Sequence, residues 1–239
     1  MLEYAGRWAF AVIAPLFLFG CILTPGKFVS SLTINADRSF TFTYKGEVIA
    51  VDPGDEVSQG LKETSGEEKD DKADGTQEIN DGAEKAKAVE ATERKRRAVA
   101  EALTKEAGYK SATYVGDGKF LIDYEVSGIL NHTFIYPFNS DAEILFPFIT
   151  IELRQGRTLR VKAPGFANDS GKAGPTGMGA MANDVASKLD GVFTLNTDAE
   201  IVSQNEESGA RQDGNRKIIR WRATPLTKDA PSAVLRFTK

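Results

Sequence analysis

From Lys27 onward, apolar and polar positions alternate along the chain with a period of two. Phe28, Leu32 and Ile34 fall on one face of a strand with Ser30 between them. Asp37-Arg38 makes a turn, and Phe40, Phe42 and Tyr44 then alternate with Thr41 and Thr43. The pattern predicts a β-hairpin with an aromatic inner face, with Val48 to Val51 extending its second strand or starting a third. The period changes over Ala83 to Ala107, a stretch of Ala, Glu, Lys and Arg that reads as a helix. Gly108 is placed to end it. Its narrow apolar stripe is Val89, Thr92, Val99, Leu103 and Ala107, which suits a helix lying across a sheet.

Beyond Tyr109 the two-fold pattern returns. Tyr109 to Val115 leads into a Gly116-Asp117-Gly118 turn, and Phe120, Ile122, Tyr124 and Val126 alternate until Ser127-Gly128 breaks the run. Ile129 to Tyr136 and Glu143 to Arg154 follow, the latter apolar on both faces, with Pro147 suggesting an edge or a bulge. Leu159, Val161 and Ala163 alternate after the Gln155-Gly156 turn. Val192 to Ser203, Arg216 to Ala223 and Ala233 to Phe237 are the last strands, with a polar turn region from Asn205 to Asn215. The predicted fold is α+β: an antiparallel, twisted or barrel-like sheet with one main helix.

Two segments interrupt the pattern. Residues from Asp52 to about Gly82 are rich in Asp, Glu, Lys, Gly and Ser. They bury too little apolar surface to offset their ordering entropy and read as a disordered acidic insertion; the functional alternative is a site for cations or a basic partner. Pro164 to Asp184 is glycine-rich and reads as a loop. It lacks the spacing of a phosphate-cradling loop, since Gly171-Lys172 is followed by Ala173.

The amino terminus is different again. A short polar start with a positive balance precedes the apolar run Trp8–Phe19, then Gly20 and Cys21. This is the layout of a signal peptide over residues 1–20. The run is short for a membrane span, and Pro15 weakens it further. Residues 21–26 read as a cysteine and tether, with Pro25-Gly26 a breaker, and residues 27–239 as the folded domain.

Chemistry is constrained by scarcity. Cys21 is the sole cysteine and His132 the sole histidine of 239 residues, so no intrachain disulfide or His/Cys metal cluster can be assembled and no cofactor is implied. His132, on a strand face with Leu130, Phe134 and Tyr136, reads as a packed or surface residue. Asp123 and Glu125 share a strand face and read as solvated; paired carboxylates for glycoside cleavage are the alternative. The net charge of −4 does not suggest a nucleic-acid binder. The aromatic residues are first of all core, and would line a cavity if the sheet curls. Arg160, Lys162, Arg220, Arg222 and Arg236 alternate with core positions in three strands. If those strands are neighbours, they make a basic face for anionic lipid headgroups. Arg94-Lys95-Arg96-Arg97 reads as a solvated helix side, with contact to anionic phospholipid or acidic polymers the functional alternative.

Leu18-Phe19-Gly20-Cys21 resembles the lipobox of bacterial lipoproteins, though Phe19 departs from the family's usual smaller residue. The resemblance implies cleavage before Cys21, diacylglycerol on its sulfur and further acylation of its amino group. An ordinary cleaved signal or an uncleaved tail is the alternative. Ile22, where an Asp would suggest inner-membrane retention in enteric bacteria, points to the outer membrane.

Short pieces of the remaining chain are similar to the LppM-like lipoproteins. They are Gly26-Lys27-Phe28, Phe40-Thr41-Phe42, Thr197-Asp198-Ala199-Glu200-Ile201, Asp213-Gly214-Asn215 and Ile219-Arg220-Trp221. The acidic insertion departs from that pattern. The resemblance implies a β-rich, lipid-anchored envelope domain facing the periplasm, with lipid binding and without catalytic residues to carry over. The expected function is therefore a non-catalytic envelope lipoprotein that binds lipid or another envelope component. The alternatives are an assembly lipoprotein that binds a protein partner through a sheet edge, and an envelope hydrolase.

Overall fold

The computed structural model describes residues 22–51, 77–137, 147–155, 157–168 and 187–237. Residues 1–21, most of the acidic insertion and most of the glycine-rich loop lie outside the described residues.

The first hairpin forms as its alternation dictates. β1 (Ile22–Ile34) and β2 (Ser39–Val51) pair antiparallel, Ile34 opposite Phe40 and Ile22 opposite Val51. β1 therefore already includes Ile22–Gly26, the stretch expected to be a tether. A register shift between Pro25 and Phe28 absorbs the Pro-Gly breaker as a bulge rather than ending the strand. α1 (Gln77–Leu103) starts earlier than the sequence pattern predicts and stops before Ala107. Its exit is held by Gly108, at φ +93°, whose carbonyl accepts the Glu125 N–H at 2.8 Å. β3 (Tyr109–Gly116) and β4 (Lys119–Ile129) follow, and β4 runs through Ser127-Gly128 without a break.

β5 (Phe134–Tyr136), β6 (Ile149–Arg154) and β7 (Thr158–Lys162) make an antiparallel set. Pro147 lies ahead of β6. A 3-10 turn (Pro164–Phe166) opens the glycine-rich segment. The expected strand Val192–Ser203 is two strands, β8 (Asp190–Thr197) and β9 (Glu200–Gln204), which lie in different sheets. The switch at Asp198-Ala199 has a local cause. Buried Thr197 Oγ1 accepts the Ala199 N–H at 3.0 Å, and Asp198 Oδ1 accepts the Ala36 N–H at 2.7 Å. β10 (Arg211–Asp213), β11 (Arg216–Ala223) and β12 (Ser232–Arg236) complete the fold.

Seven strands form one sheet in the order β10-β11-β8-β1-β2-β4-β3, and five form another in the order β5-β6-β7-β12-β9. Both are open, so the barrel expectation is corrected to two sheets. The expected antiparallel pairing holds with one exception: β8 runs parallel to β1, Phe28 opposite Gly191 through Ile34 opposite Thr197. The inner faces share one core. Phe40 and Phe42 of the first sheet meet Phe134 of the second at 5.3 and 5.5 Å between ring centres, and Tyr44 meets Tyr136 at 5.6 Å. Phe166 stacks on Phe28 at 4.3 Å and contacts Phe193 at 5.5 Å. α1 continues the cover over the β3–β4 end of the same inner face, where Ala100 joins Ala112, Phe120 and Ile122 in the core.

Candidate functional site

The five strand cations do not form one surface. Arg160 and Lys162 on β7 and Arg236 on β12 are neighbours on the outer face of the five-stranded sheet, Arg160 opposite Val234 and Lys162 opposite Ser232. Arg220 and Arg222 on β11 face outward from the seven-stranded sheet. Both inner faces bury the shared core, so the two outer faces point away from each other. Two of the five cations are also spoken for: Arg222 pairs with Asp190 at 3.1 Å and Arg236 with Glu200 at 3.0 Å. The basic face expected from the sequence is thus corrected to two separate, partly neutralised patches. Which strands are neighbours is a property of the sheet order, not of any local pattern.

The outer face of the seven-stranded sheet carries ion pairs in rows. Asp123 meets Lys45 at 3.2 Å, and Glu125 meets Lys110 at 2.5 Å, so the two carboxylates do share a face and each has its own cation. The Glu125 carboxylate holds the Lys110 ammonium above the usual lysine range through a hydrogen bond. Beside them is an open depression of about 420 Å³ lined by Lys27, Val29, Lys45, Asp190, Val192 and Arg222. His132 is not on a strand; it sits in the exposed loop between β4 and β5 against Asn131 Oδ1.

The aromatic residues of the two inner faces form one enclosed cluster. Tyr44 and Tyr136 are almost fully enclosed, and the Tyr44 hydroxyl donates to the Glu47 carbonyl at 2.6 Å. Burial pushes both phenols well above the ordinary tyrosine value. Tyr124 touches Tyr136 at 4.6 Å and Tyr109 at 4.9 Å, and burial pushes Tyr109 up to about 12.

The remaining candidate is the pole of the domain where β1 begins. Leu23 pairs with Ala50, and the Ala50 N–H donates to the Gly118 carbonyl at 2.8 Å. The start of β1, the end of β2 and the Asp117-Gly118 turn therefore lie at one level. α1 is fastened there. Tyr114 Oη accepts the Gly118 N–H at 3.0 Å and donates to Glu93 Oε1 at 2.5 Å, while Arg96 lies 3.6 Å from the same carboxylate oxygen. Glu47 braces the β1 bulge. Burial opposes its ionisation, but the Lys27 backbone N–H at 3.1 Å and the Lys119 ammonium at 3.2 Å outweigh it and hold the carboxyl below the usual range. The helix face differs from the expected stripe: Glu93, Arg96, Ala100 and Leu103 face the sheet, whereas Val89 and Val99 are exposed. Arg94, Lys95 and Arg97 point to solvent at this pole. The charge run announced them; their closeness to the start of β1 depends on the fold.

Cys21 lies outside the described residues. No helix among the described residues is long and apolar enough to cross a membrane. No protein-family model and no curated protein matches the chain. Among solved structures it is similar to the folded domain of LppM from Mycobacterium tuberculosis, determined by NMR, at 17% identity and a TM-score of 0.31, covering 94% of this chain and 95% of that one.

Proposed function

We propose that this chain is a non-catalytic bacterial envelope lipoprotein, anchored by acylated Cys21, whose β-rich domain works at the bilayer surface as a binding module for lipid or another envelope component. One observation carries the reading. The apolar run ends in Leu18-Phe19-Gly20-Cys21, and β1 begins at the next residue. Acyl chains on Cys21 would hold the domain with almost no slack, each buried CH₂ contributing about 0.8 kcal/mol. The ion pairs of Asp123 and Glu125 support reading them as surface charges.

The test is fractionation of cells carrying the wild type or Cys21→Ala, with labelled palmitate supplied. The expected outcome is label on the wild type alone and release of the variant from the membrane fraction. An unlabelled wild type together with a membrane-bound variant would overturn the reading. A sucrose gradient then places the wild type with the outer membrane, as expected from Ile22.

A protein partner is favoured by a different observation. β9 is an edge of the five-stranded sheet and exposes Val202, the kind of edge that accepts an added strand. Cross-linking that repeatedly recovers one neighbour through β9 would shift the function to assembly.

A further inference from the structure

α1 runs alongside β3 in the opposite direction. Glu93 is level with Tyr114, and Ala100 and Leu103 follow toward Tyr109. The residues from Gln77 through Thr92, about 24 Å of helix at 1.5 Å per residue, therefore lie beyond the Glu93–Tyr114 contact, and their amino-terminal part continues past the Asp117-Gly118 turn. They project at the pole where β1 begins. Leu23 and the Gly118 turn are two strand spacings apart, about 10 Å. The Arg96 side chain reaches that turn: a Cβ built on Gly118 would lie 3.8 Å from its guanidinium carbon.

A helix projecting this far past the sheet prevents the sheet from standing end-on over a bilayer entered at Cys21. The domain must lean until the helix lies along the surface. The helix side turned away from the sheet then meets the headgroups. At 100° per residue that side is Lys87, Ala91, Arg94, Lys95, Ala98 and Ala102, flanked on one edge by Arg97, Glu90 and Glu101; all are exposed, and the cations Lys87, Arg94, Lys95 and Arg97 outnumber the two carboxylates. Arg94, Lys95 and Arg97 have no ion-pair partner among the described residues, in contrast to Arg96. The face has no large apolar side chain to insert, so its attraction is that of cations for an anionic surface, acting within a Debye length of about 10 Å.

We infer that the exposed face of α1, centred on Arg94, Lys95 and Arg97, docks on anionic phospholipid headgroups beside the anchor. The inference rests on the acylation of Cys21. Once acylated, Cys21 has no free thiol, so Ala91→Cys supplies a unique site for an environment-sensitive fluorophore. The full-length palmitate-labelled protein is reconstituted in vesicles of phosphatidylcholine alone, or of equal parts phosphatidylcholine and phosphatidylglycerol. The expected result is a blue shift confined to the phosphatidylglycerol vesicles, lost in high salt and lost in Arg94→Gln/Lys95→Gln/Arg97→Gln. Glutamine keeps helix propensity, and an unchanged circular dichroism spectrum separates loss of contact from loss of fold. A labelled, anchored protein whose fluorophore is indifferent to lipid charge, or whose shift survives the triple substitution, overturns the docking face and leaves the anchor intact. A response to soluble polyphosphate without one to the anionic vesicles overturns it too. A chain that takes up no palmitate overturns the anchor and the docking face with it.

Discussion

Gly46 faces the bulge of β1. A Cβ there would lie 2.3 Å from the Lys27 carbonyl oxygen and 2.5 Å from the Phe28 Cα. These are backbone atoms of a paired strand, unable to swing aside as a flexible side chain does. Gly46→Ala is expected to cost about 3 kcal/mol, read as a lower guanidinium midpoint at unchanged slope; a loss within about 0.5 kcal/mol would mean that the bulge yields easily. The buried phenols give a second prediction at this scale. Tyr44 and Tyr136 keep their protons in the folded chain at pH values where the unfolded chain, with tyrosines near 10, loses them. The folded state binds more protons in that window, so stability falls as pH rises above about 10. Each phenol steepens the fall by up to about 1.4 kcal/mol per pH unit. Tyr136→Phe should flatten that decline in unfolding curves taken on either side of pH 10, and an equal slope in both proteins would refute the assignment. The aromatic alternation of Phe40, Phe42 and Tyr44 was legible in the sequence. The clustering of Tyr44, Tyr109, Tyr124 and Tyr136 was not, since they come from four strands joined only by pairing.

At the scale of elements, α1 shows where a pattern misleads. Its run of good helix formers announced a helix, but Val89 and Val99 were the obvious anchors and both are exposed. Leu103 of the expected stripe does pack on the core, joined by small Ala100 and by the polar clamp of Glu93, Tyr114 and Gly118. Val89 lies before the Glu93 clamp and Val99 on the flank of the helix beside Ala100, and an apolar count registers neither position. Ala100→Asp is therefore expected to cost about 3 kcal/mol by burying an unpaired charge, whereas Val99→Asp should stay within about 0.5 kcal/mol; the reverse order in thermal melts would restore the stripe suggested by the sequence. Tyr114→Phe strands the Glu93 carboxylate and the Gly118 N–H together. The expected loss is about 1–2 kcal/mol, with hydrogen exchange quickening first in α1, because among the described residues the clamp fastens the helix next to its projecting half.

At the scale of the molecule, the question is how two open sheets behave as one body. Strand existence followed from two-fold alternation, but sheet order did not. The pairing of β8 with β1 joins residues far apart in sequence, and the division of Val192–Ser203 between sheets turns on Thr197 and Asp198, not on any loss of β pattern. For the same reason the five strand cations were legible as outward-facing and illegible as two patches. The sheets are joined through side chains. Phe166, just beyond β7, lies against Phe28 and Phe193 of the other sheet and against Phe148 of its own at 6.3 Å. Beyond Phe193, on which Trp221 stacks, Asn205 accepts from Trp221 Nε1 at 3.0 Å and from the Ser232 N–H at 2.9 Å, a polar clip between β11 and β12. Because Phe166 is fully enclosed, its removal takes contacts from both sheets and leaves a cavity that neither can fill alone. Phe166→Ala should lower stability by about 4 kcal/mol. If the shared core makes the sheets one cooperative unit, tryptophan fluorescence and far-ultraviolet circular dichroism must still report a single coincident transition in the variant. A second transition, with Trp221 unfolding apart from the bulk of the strands, would show that each sheet keeps a stability of its own.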